Sequence, residues 1–280
     1  MPPFQMLDNK SLADVPSKTK TYFQHAGRHF VSLSFNQYLA SDDTETPRPA
    51  VVSGFIVESH DIWFYATAGH VINGIRGALN AGVRFDAWRL GDDTAGSRFP
   101  AVPIDFEIGQ CVVMHDNCIG LDYAVFPLHV LTARNLKAGG VVPIDRTTWK
   151  AIPLNDLDDI FILGVPSETV ATENPGVISA KTALIPLTLV PAPQSAGLTE
   201  DNMFFAKLQM EECHLKDIGG MSGGPIFGTK RVENETRYWA IGVQSGWYPT
   251  QKIIAACPLP AFMDAIEEIV GKIVAEHGRP

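Results

Sequence analysis

Gly219-Gly220-Met221-Ser222-Gly223-Gly224-Pro225 is the stretch on which the reading of this chain turns. It places a serine between two glycine pairs. Glycine accepts φ > 0 and lets another backbone come close. Both are needed if several backbone N–H groups are to converge on one oxygen. Taken alone, such a run is a tight turn between strands. Two earlier segments raise its significance. Thr67-Ala68-Gly69-His70-Val71 closes a very apolar β-prone run with a histidine, and Leu121-Asp122-Tyr123-Ala124-Val125-Phe126 opens another with an aspartate. Singly, the first reads as a structural or surface histidine and the second as a turn residue.

Around these segments the chain reads as short strands. Val31, Leu33 and Phe35 alternate with Ser32 and Ser34, a period of two. The runs Val51–Val57 and Ile62–Thr67 are joined by Glu58-Ser59-His60-Asp61, which predicts a hairpin with a four-residue connection. Residues 74–100 contain five glycines and read as irregular. Further apolar runs recur at 111–114, 122–128, 160–165, 178–190, 203–210, 225–228, 238–244 and 253–256. About ten short strands, with almost no helical periodicity before residue 258, indicate a sandwich or barrel rather than βαβ units. The end differs. Phe262, Met263, Ile266, Ile269, Val270, Ile273 and Val274 fall at helical spacing, with Pro260 near the start and Gly278 near the end. The expected organisation is an arm over 1–27, a first β unit over 28–135, a crossover and second β unit over 136–257, and a closing helix over 258–280.

Composition narrows the function. The chain has 280 residues, 45% of them hydrophobic and 19% charged, which suits a packed globular protein. A net charge of −9 without a basic run argues against nucleic acid as a partner. No apolar run is long enough to span a membrane, and the opening MPPFQMLDNKSLADVPSKTK does not read as a secretory signal. The cysteines Cys111, Cys118, Cys213 and Cys257 form no CxxC pair, so they read as reduced thiols of a cytoplasmic protein. His29, His60, His70, His115 and His129 have no metal-ligand spacing, and neither a metal nor another cofactor is expected.

Together, Thr67-Ala68-Gly69-His70, Asp122-Tyr123-Ala124-Val125 and Gly220-Met221-Ser222-Gly223-Gly224-Pro225 resemble the chymotrypsin-like serine proteases. Their order is that family's order of base, orienting acid and nucleophile, and the likeness covers about residues 30–275. Phe161–Pro166 and Ala240–Ser245 add to it. The resemblance implies an all-β fold of two antiparallel six-stranded barrels with a C-terminal α-helix. It also implies a serine endopeptidase acting on polypeptide substrates. Ser222 would attack the peptide carbonyl, His70 would carry the proton, and Asp122 would orient the imidazole. The N–H groups of Gly220 and Ser222 would form the oxyanion hole, and Ser245 and Gly246 would lie beside the residue preceding the cleaved bond. By loop position Lys216 and Asp217 fall near the specificity pocket. Asp217 would favour a basic residue there and Lys216 an acidic one, or the two would pair; the choice stays open.

The departures from the pattern also inform. Val71 follows the histidine where animal trypsins have cysteine, and Met221 precedes the serine where they have aspartate. The likeness is therefore to the disulfide-free bacterial branch. Activation by insertion of a new N-terminus is not expected; completion of the site by a protein partner or by loop ordering is. The competing reading is a catalytically silent protease fold used as a binding module. A third, the G-x-S-x-G elbow of α/β-hydrolases, requires a helix after the serine, where Pro225 and a β-prone run follow.

Overall fold

The computed structural model describes residues 5–7, 17–39, 47–91, 101–174, 177–194, 202–209 and 215–277. In the first half the strands are β2 (Ser32–Tyr38), β3 (Arg48–Val52), β4 (Phe55–Ser59), β5 (Ile62–Thr67), β6 (Arg84–Gly91), β7 (Ala101–Pro103), β8 (Val112–Asp116) and β9 (Leu121–Pro127), with β1 (Gln5–Leu7) ahead of them. They form two antiparallel four-stranded sheets, ordered β3-β2-β6-β7 and β4-β5-β9-β8. Leu33, Phe35, Ile56, Tyr65, Ile72, Leu90 and Phe126 share the core of this half. Leu33 and Phe35 are buried while Ser32 and Ser34 are not fully so, as the alternation in the sequence predicts.

The chain crosses from one sheet to the other at Ser53-Gly54, between β3 and β4. A Cβ on Gly54 would overlap the Tyr65 ring, so only glycine fits this corner. The expected hairpin connection of four residues is therefore corrected twice. Val51 and Val52 belong to the other sheet, and the turn is only His60-Asp61, both at positive φ (52° and 66°). Two such residues give a two-residue turn whose twist matches the strands.

The second half contains β10 (Asp159–Gly164), β11 (Ala171–Asn174), β12 (Val177–Ser179), β13 (Thr182–Val190), β14 (Phe204–Leu208), β15 (Pro225–Val232), β16 (Glu235–Tyr248) and β17 (Ile253–Pro258). Six of these close into an antiparallel ring, β10-β15-β16-β17-β14-β13, because β13 pairs with both β10 and β14. β1 adds outside it against β13. Two six-stranded barrels were expected. One closed six-stranded barrel is present, and among the described residues the two sheets of the first half do not close by strand pairing. The ring's interior is lined by Ile160, Ile162, Ile185, Ile226, Ile241 and Ile254. The intervening residues of the same strands, such as Phe161, Leu163 and Phe227, pack with Phe55, Val57, Tyr123 and Val125 of the first half. β10 is thus buried on both faces, which explains its unbroken apolar run.

Helices occur where the sequence suggested none. α1 (Ser17–Ala26) occupies the expected polar arm; Thr19, Tyr22, Phe23 and Ala26 are its buried residues. Their spacing of i, i+3, i+4, i+7 is one helical face, with threonine masking the signal. α2 (Gly69–Asn80) and β6 lie in the stretch read as irregular. Gly74 and Gly77 of α2 would place a Cβ in open space, while Ile72 and Ile75 are buried. α3 (Val130–Ala138) spans the expected boundary at 135, and α4 (Arg146–Trp149) follows in the crossover. α5 (Leu259–His277) closes the described chain. It buries Phe262, Met263, Ile266 and Val270 but leaves Ile269 and Ile273 exposed. Gly278 lies outside the described residues.

Candidate active site

His70 is the second residue of α2, where the apolar strand β5 turns into helix. Asp122 is the second residue of β9. The carboxylate faces α2: Oδ1 accepts the His70 backbone N–H at 2.7 Å, and Oδ2 lies 2.6 Å from His70 Nδ1. An ionised carboxylate can only accept, so Nδ1 carries the proton and Nε2 is left as the basic nitrogen. Asp122 is 3% exposed. Burial pushes its carboxyl up. The His70 side-chain hydrogen bond, the imidazolium charge, the Ser245 hydroxyl and the His70 N–H outweigh this and hold it below the ordinary carboxylate range. Gly69 is dictated by the same contact, since a Cβ there would sit 2.9 Å from the Tyr123 carbonyl and 3.1 Å from Asp122 Oδ1.

The serine loop is pressed onto the same strand end. Gly223 has φ +86°, and a Cβ would overlap Thr67 Oγ1 and approach Ala68 N to 2.8 Å. Gly220 has φ +89°, and a Cβ would meet the Val165 carbonyl at 2.8 Å. The three carbonyls that lead up to the serine have donors. Gly219 C=O accepts from Ser167 N–H at 2.6 Å, Gly220 C=O from Ser53 N–H at 3.3 Å and the Ser53 hydroxyl at 2.8 Å, and Met221 C=O from Gly224 N–H at 2.8 Å. Met221 N–H donates to Ile218 C=O. Among the described residues, the N–H groups of Gly220 and Ser222 have no hydrogen-bond acceptor, and the Ser222 hydroxyl makes no hydrogen bond to His70.

The neighbouring edge of β16 is open. β15 begins at Pro225 opposite Val243, and Gln244 exchanges hydrogen bonds with Gly223 and Gly224. Beyond Gln244 the same edge of β16 has no strand partner among the described residues, while the opposite edge continues on β17. An extended peptide can add to such an edge.

No family model matches the chain, and no curated protein does. Solved structures do. A Glu endopeptidase, solved in complex with MPD, superposes with a TM-score of 0.51 at 11% identity, over 96% of this chain and 97% of that one. The protease Anisep from Arthrobacter nicotinovorans gives 0.47 at 17% identity, over 82% and 90%. The thermostable serine protease AL20 from an extremophilic microorganism gives 0.45 at 15%, over 83% and 92%.

The chain has the chymotrypsin-like serine protease fold.

Within that fold, His70 and Asp122 lie in the first half and Ser222 in the second. Ser245 is not placed simply as a lining residue. It is the extra residue of a bulge in β16 between Gln244 and Gly246, and its hydroxyl donates to Asp122 Oδ2. Sequence reasoning missed this partnership, which the serine two residues before Trp247 could not announce. Gly246 pairs with Ala255. Lys216 and Asp217 are exposed and do not form an ion pair with each other. The Lys216 N–H donates to Glu168 Oε1, and Asp217 Oδ1 accepts from Gly219 N–H at the start of the serine loop. Met221, fully buried, points into the barrel core and packs against Gly164. Cys257 lies behind the acid, donating to the Gly120 carbonyl; burial pushes its thiol up to about 12, so it is inert packing. Cys111, Cys118 and Cys257 are free thiols, and Cys213 lies outside the described residues. Among the described residues no helix is long and apolar enough to cross a membrane, and no cluster of ligating side chains could hold a metal ion.

Proposed function

We propose that this chain is a serine endopeptidase. Ser222 Oγ attacks the peptide carbonyl and passes its proton to His70 Nε2. The tetrahedral oxyanion is received by the N–H groups of Gly220 and Ser222. His70 then protonates the leaving amine, and water repeats the sequence on the acyl-enzyme. Asp122 keeps the imidazole in the Nδ1–H tautomer and offsets its positive charge. The observation that carries the reading is the double grip of Asp122 on His70, beside a loop whose Gly219, Gly220 and Met221 carbonyls are tied back and whose Gly220 and Ser222 N–H groups are unsatisfied. The open edge of β16 from Ser245 to Tyr248 binds the substrate backbone, and Gly246 leaves room for its side chains. Lys216 and Asp217 stand at the rim of the specificity pocket.

Because Ser222 and His70 are not hydrogen-bonded to each other, their final approach is left to substrate or to a protein partner, in keeping with Met221 standing before the serine where animal trypsins have aspartate. The free thiols support a reducing, cytoplasmic setting. The test is labelling with a fluorophosphonate probe and casein cleavage, each with Ser222→Ala as control. Labelling confined to Ser222 is the expected result. A folded protein that is never labelled favours the silent binding module, and cleavage of casein at full rate by the chain alone removes the need for a partner.

A further inference from the structure

We propose that Ser53 is a positioning residue that sets the oxyanion-binding loop from the opposite half of the molecule; the proposal rests on the reading of Ser222 as nucleophile. Ser53 is completely buried at the corner where the chain passes between the two sheets of the first half. Every polar atom it has is used, and every partner leads to the candidate site. Its hydroxyl donates to Gly220 C=O at 2.8 Å and accepts from Val165 N–H at 2.8 Å. Its own N–H donates to the same Gly220 carbonyl at 3.3 Å, and its carbonyl accepts from Thr67 Oγ1 at 2.9 Å. One residue thus ties together the end of β5 that leads into His70, the residue that follows β10 and the peptide that begins the serine loop.

The geometry explains why this governs N–H orientation. In a trans peptide the C=O and N–H point in opposite directions. Ser53 and Ile218 hold the two ends of the Gly220–Met221 peptide, through its carbonyl and its N–H. Ser167 holds the carbonyl of the Gly219–Gly220 peptide, whose N–H belongs to Gly220. Gly220, at φ +89°, is the hinge between these two peptides, and glycine is the residue that swings most freely. Without the Ser53 hydroxyl, Gly220 C=O keeps only the longer N–H bond, and Val165 N–H loses its partner. The Gly220–Met221 peptide can then rotate. Because Gly220 is the joint between the two peptides, the adjoining Gly219–Gly220 peptide is released on that side and its Gly220 N–H leaves the point where an oxyanion must sit. Nothing in this chain of contacts touches Asp122 or the His70 ring, so the pair and the loop are separable.

The test compares the wild type with Ser53→Ala, Ser53→Cys and Ser53→Thr, using Ser222→Ala as the blank. The readouts are the second-order rate of fluorophosphonate labelling and the thermal midpoint. A third is the low-field proton resonance of His70 Nδ1–H. Ser53→Cys keeps the volume with a feeble donor, so it serves where Ser53→Ala does not fold. Misplacing one oxyanion donor should slow labelling about 10–100-fold in Ser53→Ala and Ser53→Cys, with the low-field resonance retained. Ser53→Thr, which keeps a hydroxyl, should recover labelling at least tenfold over Ser53→Ala. A slowing of less than fivefold in the folded variants overturns the proposal, as does loss of the His70 resonance together with the rate. A wild type that is never labelled at Ser222 overturns the endopeptidase reading and this proposal with it; a labelled wild type with an indifferent Ser53 overturns this proposal alone.

Discussion

Asp122 grips His70 at two points, the backbone N–H through Oδ1 at 2.7 Å and the ring Nδ1 through Oδ2 at 2.6 Å. The first contact places the carboxylate at the N-terminal turn of α2, where unpaired N–H groups favour a negative charge. The second sets the tautomer. Asp122→Asn keeps the shape but offers an amide that can donate to the ring, which favours the wrong tautomer. Hydrolysis and Ser222 labelling should fall by about 10⁴, with the fold retained by circular dichroism. A loss of less than tenfold would remove Asp122 from the proposed mechanism.

The same carboxylate makes stability depend on pH. Its native value lies below the ordinary range, so the unfolded chain takes up this proton first as the solution is acidified. The stabilisation is complete above the unfolded value of about 3.9 and disappears as pH falls through the lower native value. Urea melts between pH 2 and 6 should show a drop below about pH 4 that is smaller in Asp122→Asn.

His29 acts in a higher window. It is 1% exposed, its Nδ1–H donates to Val142 C=O at 2.7 Å, and its Nε2 accepts from the Tyr238 hydroxyl at 2.9 Å. Burial, opposed in part by the Val142 carbonyl and aided by Arg28, pushes its pKa from 6.5 down to about 4. The native state therefore resists a proton that the unfolded chain accepts. Stability from neutral His29 is full above about pH 6.5 and declines as pH falls to about 4. The shift corresponds to roughly 3 kcal/mol. His29→Gln should flatten the stability curve between those values, whatever its effect at pH 7; an unchanged slope would show that His29 is not the titrating group.

The three segments of the candidate site stood out in the sequence because each must satisfy a local demand that shows in residue type. Gly69 and Gly223 leave room for Asp122 and Thr67, and Gly220 takes a left-handed φ that other residues avoid. The closing helix was legible from its apolar stripe. The rest depended on partners distant in sequence. Ser53 looks like any turn serine until Val165 and Gly220 are beside it. Ser245 reaches Asp122 only because β16 bulges there. α1 was hidden because its stripe includes Thr19 and only three apolar residues, so its burial comes from the docking surface around Phe161 rather than from its own pattern. The first half was expected to close as a barrel because the resemblance implies two barrels; the strand count alone pointed only to a sandwich or a barrel. Closure depends on whether edge strands meet, and strand periodicity does not encode that.

α1 supplies the remaining prediction. Tyr22 stacks on Phe161 with ring centroids 5.0 Å apart and planes 7° from parallel, and its hydroxyl donates to Asp159 Oδ2 at 2.7 Å. Asp159 also pairs with Lys18 at 2.8 Å, but Lys18 is half exposed, so that pair contributes little. The ring is the part that matters: it is 6% exposed and belongs to the core shared by the two halves. Tyr22→Ala should destabilise the chain by about 3–5 kcal/mol, in line with other buried aromatic truncations. Tyr22→Phe removes only the hydroxyl and should cost about 1–2 kcal/mol, because Asp159 keeps Lys18 as a partner. Denaturant melts of the two variants separate these terms. Equal losses would assign the docking of α1 to the hydrogen bond, and no loss in either would mean that the helix contributes nothing to the stability of the core beneath it.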